Sequence, residues 1–164
     1  MFNFSLTNQI IFLAILLIVS AFFSISETSL MSLNRYRLKH LVKSGNAGAI
    51  LATKLLKETD KLLSVILLCN NFSNAAAATL VTVISVQLYG DQEITIMIGT
   101  LITTFLILIF SEISPKVIAA AHPERLALSC SFLLYPLLKI LYPIVLFINI
   151  FVLGILKIFN IKIN

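Results

Sequence analysis

Long apolar stretches, each able to cross a lipid bilayer as a helix, limit how this chain can fold. Three of them cover about 7–33, 62–89 and 94–114, and each matches the roughly 20 residues that a helix needs to span a hydrocarbon core. Hydrophobic residues make up 59% of the chain and charged residues only 12%, which is too little charge to cover a soluble domain. The sequence therefore predicts one all-α, multi-pass membrane domain over residues 1–164.

Charged residues predict the orientation. Residues 1–9 contain no Lys or Arg, so the first stretch lacks the leader of a signal peptide and is expected to stay in the membrane. Residues 35–61 carry seven Lys or Arg and the turn at 89–94 carries none. This pattern predicts three crossings, with the N-terminus outside and the C-terminus cytoplasmic. The net charge of +5 indicates anionic lipid rather than nucleic acid as the partner.

The basic segment 35–61 has apolar residues at helical spacing on both sides of a Gly-containing break at 44–48. This spacing predicts two short amphipathic helices on the membrane surface. A plain basic loop is the alternative.

The last apolar stretch, about 124–159, is long enough for a fourth crossing, but Pro136, Lys139 and Pro143 fall in its middle. Inserting a lysine at the bilayer centre costs roughly 3 kcal/mol of free energy on insertion scales. We therefore expect broken amphipathic helices along the inner interface, with Lys139 extending its ammonium toward the headgroups.

Polar residues inside membrane helices are expensive and mark candidate sites. Ser20 and Ser24 share one helical face, and Glu27 follows three residues later. Asn70 and Asn74 share a face of the second stretch. The alternatives are close helix packing for the serines and interhelical hydrogen bonding for the asparagines.

The third stretch ends at Glu112, followed by Pro115. A carboxylate beside a proline break is typical of ion sites in transporters, where unwound carbonyls add oxygens. An interfacial Glu that caps the segment is the alternative. The nearby His122, Glu124 and Arg125 are expected to form a solvated turn.

Depth places these groups near one another. With a rise of 1.5 Å per residue, Ser24 and Asn70 are both expected roughly 12–14 Å from the inner boundary, and Glu112 approaches that boundary. Hydroxyl, amide and carboxylate oxygens suit magnesium, calcium or sodium, and disfavour zinc or copper. The two cysteines, Cys69 and Cys130, are expected to be inert apolar residues.

Three motifs resemble one known family, the CorB/CorC and CNNM magnesium transporters. They are Ser20-Ala21-Phe22-Phe23-Ser24 with the following Ser26-Glu27-Thr28-Ser29, then Asn70-Asn71-Phe72-Ser73-Asn74, then Glu112-Ile113-Ser114-Pro115-Lys116. Their order and spacing match the family, and the resemblance covers nearly the whole chain.

The resemblance implies a homodimer in the bacterial inner membrane, with three transmembrane helices per subunit and a belt formed by about 124–159. It implies magnesium export from an inward-facing site, in some members against sodium entry. The family's ligand positions match Ser20, Ser24, Asn70 and Glu112, with Asn74 and Glu27 as second-tier candidates, and Pro115 is a candidate hinge.

The sequence also departs from the family. Cys69 and Ile25 stand where glycine is usual, and each adds bulk beside an expected ligand. The family's cytoplasmic CBS domains, which bind nucleotide, are not among these 164 residues.

Two other functions were weighed. The chain could be a membrane anchor that dimerises a cytoplasmic nucleotide-sensing region without any transport. An intramembrane enzyme is not expected, because His40 and His122 lie in interfacial stretches and no HExxH motif occurs in a membrane segment.

Overall fold

The computed structural model describes residues 5–158, and all of its regular elements are helices. In chain order they are α1 (Leu6–Met31), α2 (Arg35–Lys43), α3 (Ala47–Lys57), α4 (Thr59–Tyr89), α5 (Glu93–Leu106), a π-helical segment (Ile107–Ile113), α6 (Ser114–Ala121) and α7 (Pro123–Ile158). The all-α prediction is confirmed for this part of the chain.

Polar caps and glycine turns separate the first helices. The side-chain oxygen of Asn34 accepts hydrogen bonds from the amides of Tyr36 and Arg37, and that of Asn46 accepts one from Ala49. Such caps satisfy amides that have no partner within the helix. Gly45, with φ +80°, makes the turn between α2 and α3. Two short helices therefore occupy the basic segment, where a loop was the alternative.

Within residues 5–158, four helical stretches are long and apolar enough to cross a membrane: Leu6–Met31, Thr59–Tyr89, Glu93–Ala121 and Pro123–Phe147. The first three correspond to the expected crossings. The fourth lies in the stretch expected to form the interfacial belt, so length and composition alone do not distinguish three crossings from four.

The expectation that about 124–159 is broken at its prolines is wrong for the described residues. The helix α7 continues through Pro136 and Pro143 to Ile158. Each proline removes one backbone donor, whereas a full break would leave several backbone groups unpaired among apolar side chains. The continuous helix is therefore the less costly arrangement.

Pro115 also fails to end the third stretch. It occupies the first turn of α6, directly after the π-helical segment. The amide of Ser114 donates to the carbonyl of Ile109, five residues earlier. In a regular helix the proline ring would clash with the carbonyl of Ser111, four residues before it, and the wider π turn relieves that clash.

The core lies where α1, α3, α4 and α7 meet. Its buried side chains include Phe23, Leu30, Leu62, Ile66 and Leu134. A Cβ at Gly48 of α3 would lie 2.9 Å from the carbonyl oxygen of Leu128 on α7, so these two helices approach more closely than a larger residue allows. On α5, large apolar side chains such as Leu101 and Phe105 are exposed, as expected of a helix that faces lipid.

Candidate functional site

Hydrogen bonds join predicted site residues from three separate elements. Ser20 Oγ on α1 lies 2.5 Å from Asn70 Oδ1 and 2.7 Å from Asn74 Oδ1, both on α4. Asn74 Nδ2 in turn donates to Glu112 Oε1 in the π-helical segment, over 3.4 Å. Hydroxyl, amide and carboxylate groups thus meet between α1, α4 and the π-helical segment.

This cluster has more hydrogen-bond acceptors than donors. The Ser20 hydroxyl carries one proton, so it can donate to only one of the two amide oxygens that approach it. Three oxygen atoms with free lone pairs therefore converge on one point between α1 and α4. A cation placed there would have several oxygen lone pairs within reach.

Ser24 adds a buried hydroxyl without a partner. It lies one turn after Ser20 on the same face of α1 and is fully buried. Among the residues that the structure describes, nothing accepts from or donates to its Oγ. The neighbouring Ser26, by contrast, donates to the carbonyl of Phe22. An unsatisfied buried hydroxyl costs about 1–3 kcal/mol, and a bound cation would offset that cost.

The face of α1 that carries these serines is small and polar, so α4 can approach it. Ser20 and Ser24 are both buried along it, whereas Ser26 and Ser29, also buried, lie on other sides of α1. On α4, Asn70 is buried and Asn74 half-buried, whereas Asn71 is exposed. The helical spacing thus turns the first and third of these asparagines toward α1.

The bulk of Ile25 and Cys69 does not keep α1 and α4 apart. Both residues are partly buried and pack against the margin of the core. Ser20 and Asn70 still meet at 2.5 Å, so the two departures from the family pattern leave the site's geometry intact.

Of the second-tier candidates, the structure brings Asn74 into the cluster and leaves Glu27 out. Asn74 is the only residue described that bonds to both Ser20 and Glu112. Glu27 is half-buried and makes no hydrogen bond or ion pair within the described part of the chain. It follows Ser20 by seven residues, two turns farther along α1.

Sequence reasoning missed Ser111. This buried residue precedes Glu112, and its Oγ donates to the carbonyl of Leu17 on α1 over 3.2 Å. It therefore holds the π-helical segment against α1. The available signal was a serine inside an otherwise apolar run, directly before the carboxylate.

The donor set favours a hard cation. Over residues 5–158 no group of three or more His, Cys, Asp or Glu side chains could hold a metal ion. The donors that do meet are hydroxyl, amide and carboxylate oxygens, which suit magnesium, calcium or sodium.

The cluster at His122 lies apart from this site. Glu124 forms an ion pair with Arg37 of α2, and His122 is exposed. This ion pair links the first turn of α7 to α2.

Comparison with known proteins gives one consistent result. Residues 10–164 match the family described as the Cyclin M transmembrane N-terminal domain, CNNM. A UPF0053 protein of Haemophilus influenzae is 47% identical over 159 residues, 97% of this chain and 37% of its own length. The UPF0053 inner membrane protein YfjD of Escherichia coli is 47% identical over 131 residues, 80% of this chain and 30% of its own length.

A more distant relative is a chloroplastic DUF21 domain-containing protein of Arabidopsis thaliana, 31% identical over 157 residues, which are 96% of this chain and 24% of that protein. The chain therefore spans about a quarter to two fifths of the length of these curated relatives.

Proposed function

Because this chain belongs to the CNNM family of membrane domains, we propose that it transports a divalent cation, magnesium, through the site between α1, α4 and the π-helical segment. The proposed ligands are Ser20, Ser24, Asn70 and Glu112, with Asn74 as the residue that positions Glu112. One observation carries the proposal: Ser20, Asn70, Asn74 and Glu112 form one hydrogen-bonded cluster across three elements.

Magnesium fits the chemistry of this cluster. The ion gives up water reluctantly and is commonly held by one or two carboxylates together with retained water. Glu112 supplies the single charge, and neutral hydroxyl and amide oxygens replace part of the water shell. One carboxylate attracts the ion without holding it so tightly that it could not leave, which transport requires.

We extend the proposal to export with sodium entry as the driving force, on the ground of the family resemblance. The π-helical segment supports a gating role for Pro115. Segments of this kind are frequent at functional sites, and we propose that this one shifts its register during transport. A shift there would move Glu112 relative to Asn74, and so open or close the site.

The proposed topology has three crossings, an outer N-terminus and a cytoplasmic C-terminus, with α7 along the inner interface of a homodimer. Contacts of α7 support this placement. Glu124 in its first turn forms an ion pair with Arg37 of α2. The ammonium groups of Lys139 and of Lys54 on α3 both lie near the ring of Tyr135. The middle of α7 thus lies beside lysines of the basic segment, which do not belong in a hydrocarbon core.

The test is magnesium flux from liposomes that contain the purified chain, with and without an opposing sodium gradient. Glu112→Gln keeps the size of the side chain but removes its charge, and it should abolish flux. Glu93→Gln, at an exposed glutamate in the first turn of α5, is the matched control and should keep wild-type flux. Undiminished flux in Glu112→Gln would overturn the proposal. Magnesium flux that is the same with and without the sodium gradient would contradict sodium coupling.

A membrane anchor that dimerises a cytoplasmic region is the second candidate. The same hydrogen bonds would then serve only to hold helices together. In that case Ser20→Ala and Asn70→Ala would loosen the packing of α1 on α4 within each protomer and through it weaken dimerisation, and magnesium would not bind.

A further inference from the structure

A second pocket lies between the C-terminal part of α3, the following Glu58 and the middle of α7, away from the cation site. Its volume is about 410 Å³, and its polar lining consists of Lys54, Lys57, Glu58, Tyr135, Lys139 and Tyr142. Leu55 and Leu138 complete it with apolar surface. It is thus large enough for a small organic anion and has an apolar side.

The lysines around this pocket lack acidic partners. Lys54 Nζ and Lys139 Nζ lie 5.5 and 5.2 Å from the centre of the same Tyr135 ring. Glu58, the one acidic residue of the lining, pairs with Lys61 at 3.2 Å. Among the side chains described, no carboxylate forms an ion pair with Lys54, Lys57 or Lys139. The pocket therefore carries an uncompensated positive charge.

Tyrosines fix the arrangement of these cations. The ring of Tyr135 lies between α3 and α7 and attracts both ammonium groups by cation–π interaction. Lys61 Nζ in turn lies 4.6 Å from the centre of the Tyr142 ring. The two ammonium groups beside the Tyr135 ring repel each other, and an anion bound between them would offset that repulsion. Lysine ammonium groups and tyrosine hydroxyls are both hydrogen-bond donors that suit phosphate oxygens.

We propose that this pocket binds the phosphate ester of an anionic phospholipid. The apolar side formed by Leu55 and Leu138 gives the acyl chains a path toward the bilayer, and basic pockets between helices on the cytoplasmic side are where such headgroups bind. A zwitterionic headgroup binds less well because its own ammonium meets the lysines. The bound lipid ties α3 to α7, whether or not the chain transports a cation.

The test is native mass spectrometry of the delipidated chain, titrated with phosphatidylglycerol, phosphatidylcholine or glycerol phosphate. Wild type is compared with Lys54→Gln/Lys139→Gln and with the control Lys43→Gln/Lys116→Gln, whose exposed lysines lie outside the pocket. We expect the pocket variant to bind phosphatidylglycerol at least about 10-fold more weakly, which is about 1.4 kcal/mol. The control should bind as wild type does, and phosphatidylcholine should bind weakly to all three.

Each outcome decides a point. If glycerol phosphate binds wild type as tightly as the lipid does, and the pocket variant does not bind it, the phosphate site is supported. Its natural ligand would then be a soluble phosphate ester rather than a lipid. Equal affinity for the two lipids, or equal loss in both double variants, would overturn the proposal. Tyr135→Phe, which keeps the ring and removes only the hydroxyl, guards against a folding defect and should weaken phosphatidylglycerol binding less than the double variant does.

Discussion

Asn74 Nδ2 lies 3.4 Å from Glu112 Oε1, so one amide joins α4 to the carboxylate of the π-helical segment. The oxygen of the same amide lies 2.7 Å from Ser20 Oγ. Asn74 therefore links the charged group of the site to its hydroxyl group, and it determines where Glu112 points.

Asn74→Ala should reduce magnesium flux by about 10- to 100-fold, because a hydrogen bond to a charged group is worth about 1.5–3 kcal/mol. The measurement is liposome flux at matched protein content. Asn71→Ala is the control, since Asn71 is exposed on the same turn of α4. Equal losses in the two variants would show that Asn74 has no special role.

Ser24→Ala should raise the free energy of unfolding of the ion-free protein by about 1 kcal/mol, because it removes an unsatisfied buried hydroxyl. The same change should diminish the stabilisation that added magnesium gives, because a ligand is lost. Thermal unfolding with and without magnesium measures both effects.

Ser26→Ala is the control for this experiment. It removes the hydrogen bond to the carbonyl of Phe22 and should leave the magnesium response unchanged. A Ser24→Ala protein that is less stable without magnesium, yet responds fully to it, would exclude Ser24 from the site.

Pro115→Ala should convert the π-helical segment toward a regular α-helix, because an alanine amide can donate to the carbonyl of Ser111. Removing the bulge rotates neighbouring residues by about 100° relative to one another, so Glu112 would leave Asn74. We expect flux to fall about 10-fold or more while circular dichroism shows unchanged helix content. Wild-type flux would exclude a role for the π turn.

Gly48→Ala should destabilise the protein by about 1–3 kcal/mol, because its Cβ would lie 2.9 Å from the carbonyl oxygen of Leu128 and force α3 from α7. Ala47→Ser, at the exposed neighbouring position, is the control and should change stability little. Unfolding in a graded denaturant series compares them, and equal stability would contradict the close packing of these helices.

Periodicity and depth predict which helix faces, and which level of the membrane, carry the candidate ligands. Apolar runs predict the membrane helices, and counting residues from the basic segment predicts that Ser24 and Asn70 lie near one level. In the structure Asn70 is hydrogen-bonded to Ser20, which lies one helical turn before Ser24 on the same face of α1, and both polar faces avoid lipid.

The remaining features depend on tertiary packing. The bridging role of Asn74 requires the rotation of the π-helical segment, which is a response of the backbone to Pro115. The helix α7 continues through Pro136 and Pro143 because a break would leave backbone groups unpaired among apolar neighbours. The presence of prolines in the sequence does not by itself reveal that cost. Helical spacing and the family motif made Glu27 a candidate, but no described side chain pairs with it.

The central claim is that oxygen atoms from three helical elements hold one hard cation. Anomalous diffraction from crystals soaked in manganese, which takes the same oxygen ligands as magnesium, tests it most directly. The account predicts one peak within about 2.5 Å of oxygens from Ser20 or Ser24, Asn70 and Glu112. A peak that touches only one helix, or none between α1 and α4 at saturating manganese, would contradict it.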